Sequence, residues 1–180
     1  MAKTILSIYK NDKANEVVAN LLHYGYTNEE ISIVVKKPAH DMHEEDSLGV
    51  VLAGGGTIKT RELGEVAISG PLRTFLGIKK YNSGVFEGDI SEKFGSMSSI
   101  ARNYIALIRE RSVLIGVAVT NEEEESVKEI LLLGSPQRID LFDKNLFQEN
   151  LGHYENYHNV GHPMLGVKGG VSSDKYYDEF

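Results

Sequence analysis

The densest group of potential metal donors in this chain is His40, Asp41, His43, Glu44, Glu45 and Asp46. Two histidines three residues apart can share one face of a helix. With a neighbouring carboxylate they would form a nitrogen–oxygen site for a divalent cation. His40, His43 and Glu44 are therefore the candidate metal ligands, and a solvated polar loop after Pro38 is the alternative. A second segment, Ala53-Gly54-Gly55-Gly56-Thr57-Ile58-Lys59-Thr60, places glycines near a lysine. Backbone N–H groups in such loops can cradle anions. Its spacing fits neither phosphate fingerprint: Lys59 follows isoleucine rather than glycine, and the third glycine of the dinucleotide pattern is missing with no helix after it. A flexible turn or hairpin is expected there. The third group lies in residues 143–180, which hold His153, His158 and His162 with Tyr154, Tyr157, Tyr176, Tyr177 and Phe180. Tyrosines bury area at low entropy cost and are favoured at interfaces. Tyr154, Tyr157, Tyr176, Tyr177 and Phe180 are thus candidate partner-binding residues. The segment is expected to lie on its own sheet or on a neighbouring subunit. Asp174 to Phe180 reads equally as a docking peptide or a fraying terminus, and the three histidines admit a metal site.

No set of residues nominates itself for catalysis. The absence of cysteine excludes disulfides, zinc–thiolate sites, iron–sulfur clusters and thiol nucleophiles. No Gly-x-Ser-x-Gly elbow is present. The carboxylates Glu122 to Glu125 are explained by a helix start, where the helix dipole favours negative charge. His23 is placed to interact with the last carbonyls of a helix. The expectation is a protein without catalytic residues and without a cofactor.

Composition narrows the partners. The 180 residues are 41% apolar and 25% charged, near the average of globular proteins. That length suggests one domain or two small ones. A net charge of -7 argues against general nucleic-acid binding, which needs a dense basic face. Near the start, Lys3, Lys10, Asp12 and Lys13 flank only the short apolar run Ile5 to Tyr9, unlike a signal peptide. The longest apolar stretch, Val113 to Val119, is far short of the ~20 residues of a membrane helix. No nucleic-acid or membrane partner and a cytoplasmic location are expected.

Periodicity supplies the elements that would position these groups. Thr4 to Tyr9 is rich in strand formers. Asn11 can cap a helix, in which Ala14, Val17, Val18, Leu21 and Leu22 form one apolar stripe. Gly25 sits where a left-handed C-terminal cap belongs. Ile31 to Val35 is a strand apolar enough to be buried on both faces. The pattern then recurs. Val113 to Val119 is a strand, Thr120 or Asn121 caps a helix with Glu123 or Glu124 as a capping-box partner, and Val127, Ile130 and Leu131 form its stripe. Gly134 ends that helix and Ile139 to Phe142 is a strand. Shifted by about 109 residues, Val18 falls on Val127, Leu21 on Ile130, Leu22 on Leu131 and Gly25 on Gly134. Between the repeats, Glu65 to Ile68 is a short strand ended by Gly70-Pro71. Ser96 to Arg111 is a helix with the stripe Met97, Ile100, Ala101, Tyr104, Ile105 and Ile108, capped by Ser96 or Ser98. Residues 36–62 and 70–92 read as long loops, with short helices as an alternative for parts of them.

Two β-α-β units feeding one sheet predict an α+β fold. Specifically, they predict a ferredoxin-like α/β sandwich (βαββαβ) extended by one helix and strand. The domain is expected to span residues 1–142, with an irregular insert at 36–62 and a C-terminal tail at 143–180. Helices would cover one sheet face. Loops, the tail or a second subunit would cover the other.

Residues Thr4 to Val35 resemble the opening of the bacterial general stress (heat-induced stress) protein domain. The likeness lies in the strand, the striped helix with its glycine end, and Asn28-Glu29-Glu30 before Ile31-Ser32-Ile33-Val34. Gly64 to Leu72 is similar to the segment of glycine-zipper stress proteins that ends in glycine-proline-leucine, and Ser98 to Leu133 resembles their closing part. The likeness covers about residues 3–142. Where many such proteins carry a glycine/alanine zipper, this chain has the polar, mixed-size segment Arg73 to Phe94. The resemblance implies no catalytic residues. It implies a stress-protein-type domain. Because helical cover on one side would leave an apolar sheet face, that domain is expected to act by self-association or partner docking through the sheet's open face or edge and the tyrosine-rich tail, with homo-oligomers expected. A small-molecule sensor with residues 36–62 as pocket wall, or a divalent-metal-binding protein, are the alternatives.

Overall fold

A computed structural model describes residues 2–36, 47–53, 55–76, 84–86, 89–143 and 146–147. The chain divides into two units, Met1–Phe147 and Gln148–Phe180, and the described residues all belong to the first. Strand β1 (Lys3–Tyr9) leads into helix α1 (Asn11–Tyr24), then β2 (Ile31–Lys36), α2 (Ser47–Ala53), β3 (Gly56–Thr60) and β4 (Gly64–Ser69). Helix α3 (Pro71–Phe75), β5 (Gly84–Phe86), α4 (Ile90–Lys93), a 3-10 turn (Gly95–Met97) and α5 (Ser98–Arg109) follow. Strand β6 (Val113–Val119), α6 (Glu124–Leu133) and β7 (Arg138–Phe142) complete the order.

All seven strands form one sheet in the order β5-β3-β4-β2-β6-β1-β7. Six strands pair antiparallel, and β5 joins β3 in parallel. The fold is α+β. Strands β1 and β6, read from the sequence as the two halves of a repeat, are adjacent, with Ile5 opposite Val117 and Tyr9 opposite Val113. The seven-strand order is not that of a simple ferredoxin-like sandwich. The addition is also larger than one helix and strand, because β3, β4 and β5 extend the sheet beyond β2.

Side chains alternate along each strand and build two cores. Ile5 and Tyr9 of β1, Ile31, Ile33 and Val35 of β2, and Ile115 of β6 pack with Val17, Leu21, Val127 and Leu131 of α1 and α6. Leu6 and Ile8 of β1, Val34 of β2 and Leu114 of β6 pack on the opposite face against Ala101, Tyr104, Ile105 and Ile108 of α5, with Leu72, Phe75, Ile90 and Phe94 of α3, α4 and its C-terminal cap. The expectation that helices cover only one face is therefore corrected, while residues of the expected loop 70–92 and the first residues of the expected tail do take part in covering the second. The chain's own α5 covers it, joined by Leu146 and Phe147 just past β7. The Leu146 backbone N–H donates to Thr4 Oγ1 at 2.9 Å. An apolar stripe tells that a helix has a buried side, but not which sheet face it meets.

In the glycine-rich segment, Gly56–Thr60 is strand β3. It forms a hairpin with β4, as Ile58 opposite Val66 attests. A strand and not a helix follows it, so the strand–loop–helix arrangement of a phosphate loop is absent. Two expected caps differ. Lys10 precedes α1 with no side-chain cap, and Asn11 is already helical. Met97 precedes α5, again without a side-chain cap, because Gly95–Met97 winds a 3-10 turn ahead of Ser98. At α6 the reciprocal Thr120–Glu123 hydrogen bonds of the expected capping box form, but in the turn just ahead of the helix, whose N-cap is Glu123. Thr120 N and Oγ1 each donate to Glu123 Oε2 at 2.9 Å, and Glu123 N donates to Thr120 Oγ1 at 3.3 Å.

The paired glycines of the repeat serve different needs. Gly25 has φ 112°, the left-handed cap, with open space where a side chain would stand. Gly134 has an ordinary φ of -76°, but a Cβ there would lie 2.2 Å from Val17 Cγ2 and 2.9 Å from Tyr9 Cε1. Gly134→Ala is expected to destabilise the protein by about 1–3 kcal/mol through overpacking. Combining it with Val17→Ala should return part of that loss, read as a positive coupling in a double-mutant cycle of urea unfolding.

Candidate functional site

Two places on the described residues combine exposure, polarity or space in a way that packing alone does not demand. The first is the β7 edge of the sheet. Strand β7 pairs with β1 on one side, with Thr4 opposite Phe142 and Ile8 opposite Arg138. Among the described residues nothing pairs with its other side. Ile139 and Leu141 stand opposite Ser7 and Ile5, on the α1/α6 face, while Arg138, Asp140 and Phe142 fall on the α5 face. Leu141 is 40% exposed, and Leu132 and Leu133 at the end of α6 are 48% and 75% exposed.

On the α5 face the edge carries a small polar network. Arg138 Nε donates to Asp140 Oδ2 at 2.5 Å and its Nη2 donates to Oδ1 at 3.1 Å, a two-pronged pair. The Tyr104 hydroxyl lies 2.7 Å from Asp140 Oδ2 and 2.9 Å from the Leu6 carbonyl oxygen. The Arg138 guanidinium sits 5.7 Å from the Tyr104 ring centre, a cation–π distance. Burial pushes the Tyr104 phenol well above its ordinary pKa, and the hydrogen bond to Asp140 adds to this. Hydrogen bonding to Asp140 holds Arg138 more firmly protonated. The network fastens the edge strand to α5 and cancels the edge's only two charges against each other.

The second place is a cavity between the sheet and the inserted helices. Ile58, Val66 and Leu114 form its sheet wall, with Ala101 and Ile105 of α5 and Ile90 of α4 opposite. The space open to the centre of a water-sized sphere is about 30 Å³. One water needs roughly 10–15 Å³ on that measure. Every lining residue is apolar apart from Tyr104, whose hydroxyl is engaged by Asp140 and Leu6.

Of the residues singled out in the sequence, His40, His43 and Glu44 lie outside the described residues, as do Asp41, Glu45 and Asp46. The same holds for Tyr154, Tyr157, Tyr176, Tyr177, Phe180 and the three histidines of that segment. Glu122 to Glu125 stand at the start of α6, and Glu123 closes the turn just ahead of it, whose hydrogen bonds from Thr120 hold the Glu123 carboxyl below its ordinary pKa. No group of three or more histidine, aspartate or glutamate side chains fit to hold a metal occurs among the described residues. No helix among them is long and apolar enough to cross a membrane. Tyr104 was visible only as part of a stripe. Nothing local marked Arg138 or Asp140, which meet it across 34 and 36 positions of chain.

Burial also raises Tyr9 and Tyr26 to about 12, with carboxylates at Glu123 and Glu30 adding to Tyr26. Tyr9 donates from its hydroxyl to the Leu131 carbonyl at 2.8 Å. The unfolded chain ionises first, near pH 10. Stability held by these phenols is thus complete below about pH 10 and is lost as pH rises toward 12. Tyr104→Phe is expected to cost about 1–3 kcal/mol at neutral pH. It should also reduce the fall in the urea midpoint between neutral and alkaline buffer, because one of the three raised phenols is gone. No family model, no curated protein and no solved structure gives a significant match to this chain.

Proposed function

We propose that this chain is a non-enzymatic interaction domain of the stress-protein type, built on a ferredoxin-like core, and that it self-associates through β7. Support for the core comes from the four strands β7-β1-β6-β2. With α1 and α6 on one face, they follow the fourth, first, third, second order of the βαββαβ sandwich. Strands β3 to β5 then lengthen that sheet past β2. The chain segments Thr4 to Val35 and Ser98 to Leu133, which resemble the stress-protein domain, supply most of this core.

The observation that carries self-association is the undefended state of the β7 edge. Exposed edges are ordinarily guarded by lysine, proline or an outward charge. Strand β7 has neither lysine nor proline, and its arginine is turned onto Asp140 of the same strand. A second copy related by a two-fold axis through Asp140 would set Ile139 opposite Leu141 of its partner. That extends one sheet across both molecules and shields Leu141. The Arg138–Asp140 pair brings no uncompensated charge to the axis. With both sheet faces already covered, the edge is the one of the two expected surfaces, open face or edge, left to this role.

Size-exclusion chromatography with light scattering tests this. A concentration-dependent dimer is expected for the unaltered chain. Leu141→Lys should yield a monomer with an unchanged far-UV spectrum and thermal midpoint. A unaltered chain that stays monomeric at the highest soluble concentration would overturn the proposal, as would a dimer indifferent to Leu141→Lys.

A further inference from the structure

We infer that the acidic end of the sheet docks a basic peptide segment of another protein, with an arginine side chain seated between Glu30 and Glu123. Strand register builds this end from two distant turns. Ile31, just after the turn at 27–30, pairs with Val117, and Val119, just before the turn at 120–123, pairs with Lys3. The two turns therefore stand side by side where β2 begins and β6 ends. Glu29, Glu30, Glu122 and Glu125 are exposed there, and Glu123 is half-buried. Lys3 is taken by Glu124, with Nζ 2.5 Å from Oε2. Each turn holds its last glutamate by one oxygen. Glu30 Oε2 accepts from Thr27 N and Oγ1, and Glu123 Oε2 accepts from Thr120 N and Oγ1. Among the described residues, Oε1 of neither glutamate receives a hydrogen bond. Two carboxylates are thus fixed in place, each with an oxygen left to accept from a donor.

A second observation does not depend on these acids. Tyr26 is only 9% exposed, and its hydroxyl is buried with no hydrogen-bond partner among the described residues. A buried polar group left unpaired is costly. Glu123 and Glu30 are the charges that bear on this phenol, so it faces the same spot. A guanidinium drawn between the two carboxylates supplies the donor it lacks. Tyr24 lies against Tyr26 with ring centres 6.4 Å apart and planes 14° from parallel, and it is 54% exposed. An exposed ring beside two carboxylates suits a cation that stacks as well as pairs, as arginine does. The residues of both turns other than Glu123 are exposed, so rotation of side chains admits the guanidinium without backbone movement. The acids do not gather in a group of three fit for a metal. The net charge of -7 sets copies of this chain against one another, and residues 148–180 hold more acidic than basic side chains. The occupant is therefore a separate, basic chain.

The test uses the full chain and a fluorescein-labelled peptide of alternating arginine and glycine. Anisotropy is read at about 0.15 M salt, where exposed charges more than about 8 Å apart are largely screened. Saturable binding is expected, and none with a glutamate–glycine peptide of equal length. Glu30→Gln combined with Glu123→Gln keeps an acceptor for each turn and should weaken binding about tenfold or more. Asp12→Asn combined with Glu110→Gln removes the same charge at the opposite end of the sheet and should change binding by less than about twofold. Tyr26→Phe should weaken binding about fivefold without lowering the thermal midpoint, because its hydroxyl has no partner to lose in the free protein. Tyr24→Leu should weaken it about threefold. Absence of saturable binding would overturn the inference. So would equal losses in the two double variants, which would mark a general attraction to a negative chain, or a Tyr26→Phe variant that binds as tightly as the unaltered protein.

Discussion

Everything in the described unit leans on β6 being shut off from water on both sides. Val113, Leu114, Ile115 and Val117 are all buried, and they face alternately into the two cores. A strand in that position cannot alternate apolar with polar residues, and Val113 to Val119 does not. Its one interruption, Gly116, lies where a Cβ would come within 2.9 Å of Leu6 Cδ2 and 3.2 Å of Phe147 Cζ. That close approach lets Leu146 and Phe147 seal the sheet beside α5. Burying one such strand doubly requires a helical layer on each face, and the chain provides α1 with α6 on one side and α5 with its short neighbours on the other. The two-layer arrangement inferred from the sequence thus had one layer too few.

The flanking β-α-β units were legible because their residues argue consistently at every level. Apolar strands, striped helices and a glycine at each helix end all point to the same structure. The insert was legible only in part. The α5 stripe was visible, but a stripe has no address. Strand β3 begins with Gly56 directly after another glycine, which weakens any strand signal, and takes its conformation from pairing with β4. The tetrapeptide Thr-Asn-Glu-Glu shows the limit sharply. At 27–30, Glu30 Oε2 accepts from Thr27 N and Oγ1, both at 2.8 Å, and strand β2 follows. At 120–123 the same four residues close the same turn, and helix α6 follows. Local chemistry decides the turn, and the residues beyond it decide the element.

The candidate sites were less legible than the fold for a related reason. Histidine and carboxylate clusters draw attention because they are contiguous, yet the groups the fold brings together are not. Tyr104, Arg138 and Asp140 come from a helix and an edge strand. The cavity collects residues from β1 through to β7. Its emptiness of polar atoms is a property of the assembled layer, with no counterpart in any short run of residues. The β7 edge is similar. Arg138 reads as an ordinary surface charge until it is found folded back onto Asp140, leaving Leu141 without a guard.

Strand β1 lies between β6 and β7, and the nearest of its β6 partners to it along the chain, Val113 opposite Tyr9, emerges 104 residues later. A chain made from its N-terminal side therefore carries β1 without this partner until at least those 104 residues have been added. Contacts of such long separation close slowly. Helix α1 can shelter only one face of β1 in the meantime. Until β6 and α5 arrive, Leu6 and Ile8 therefore present the kind of transiently uncovered apolar surface that is prone to premature association.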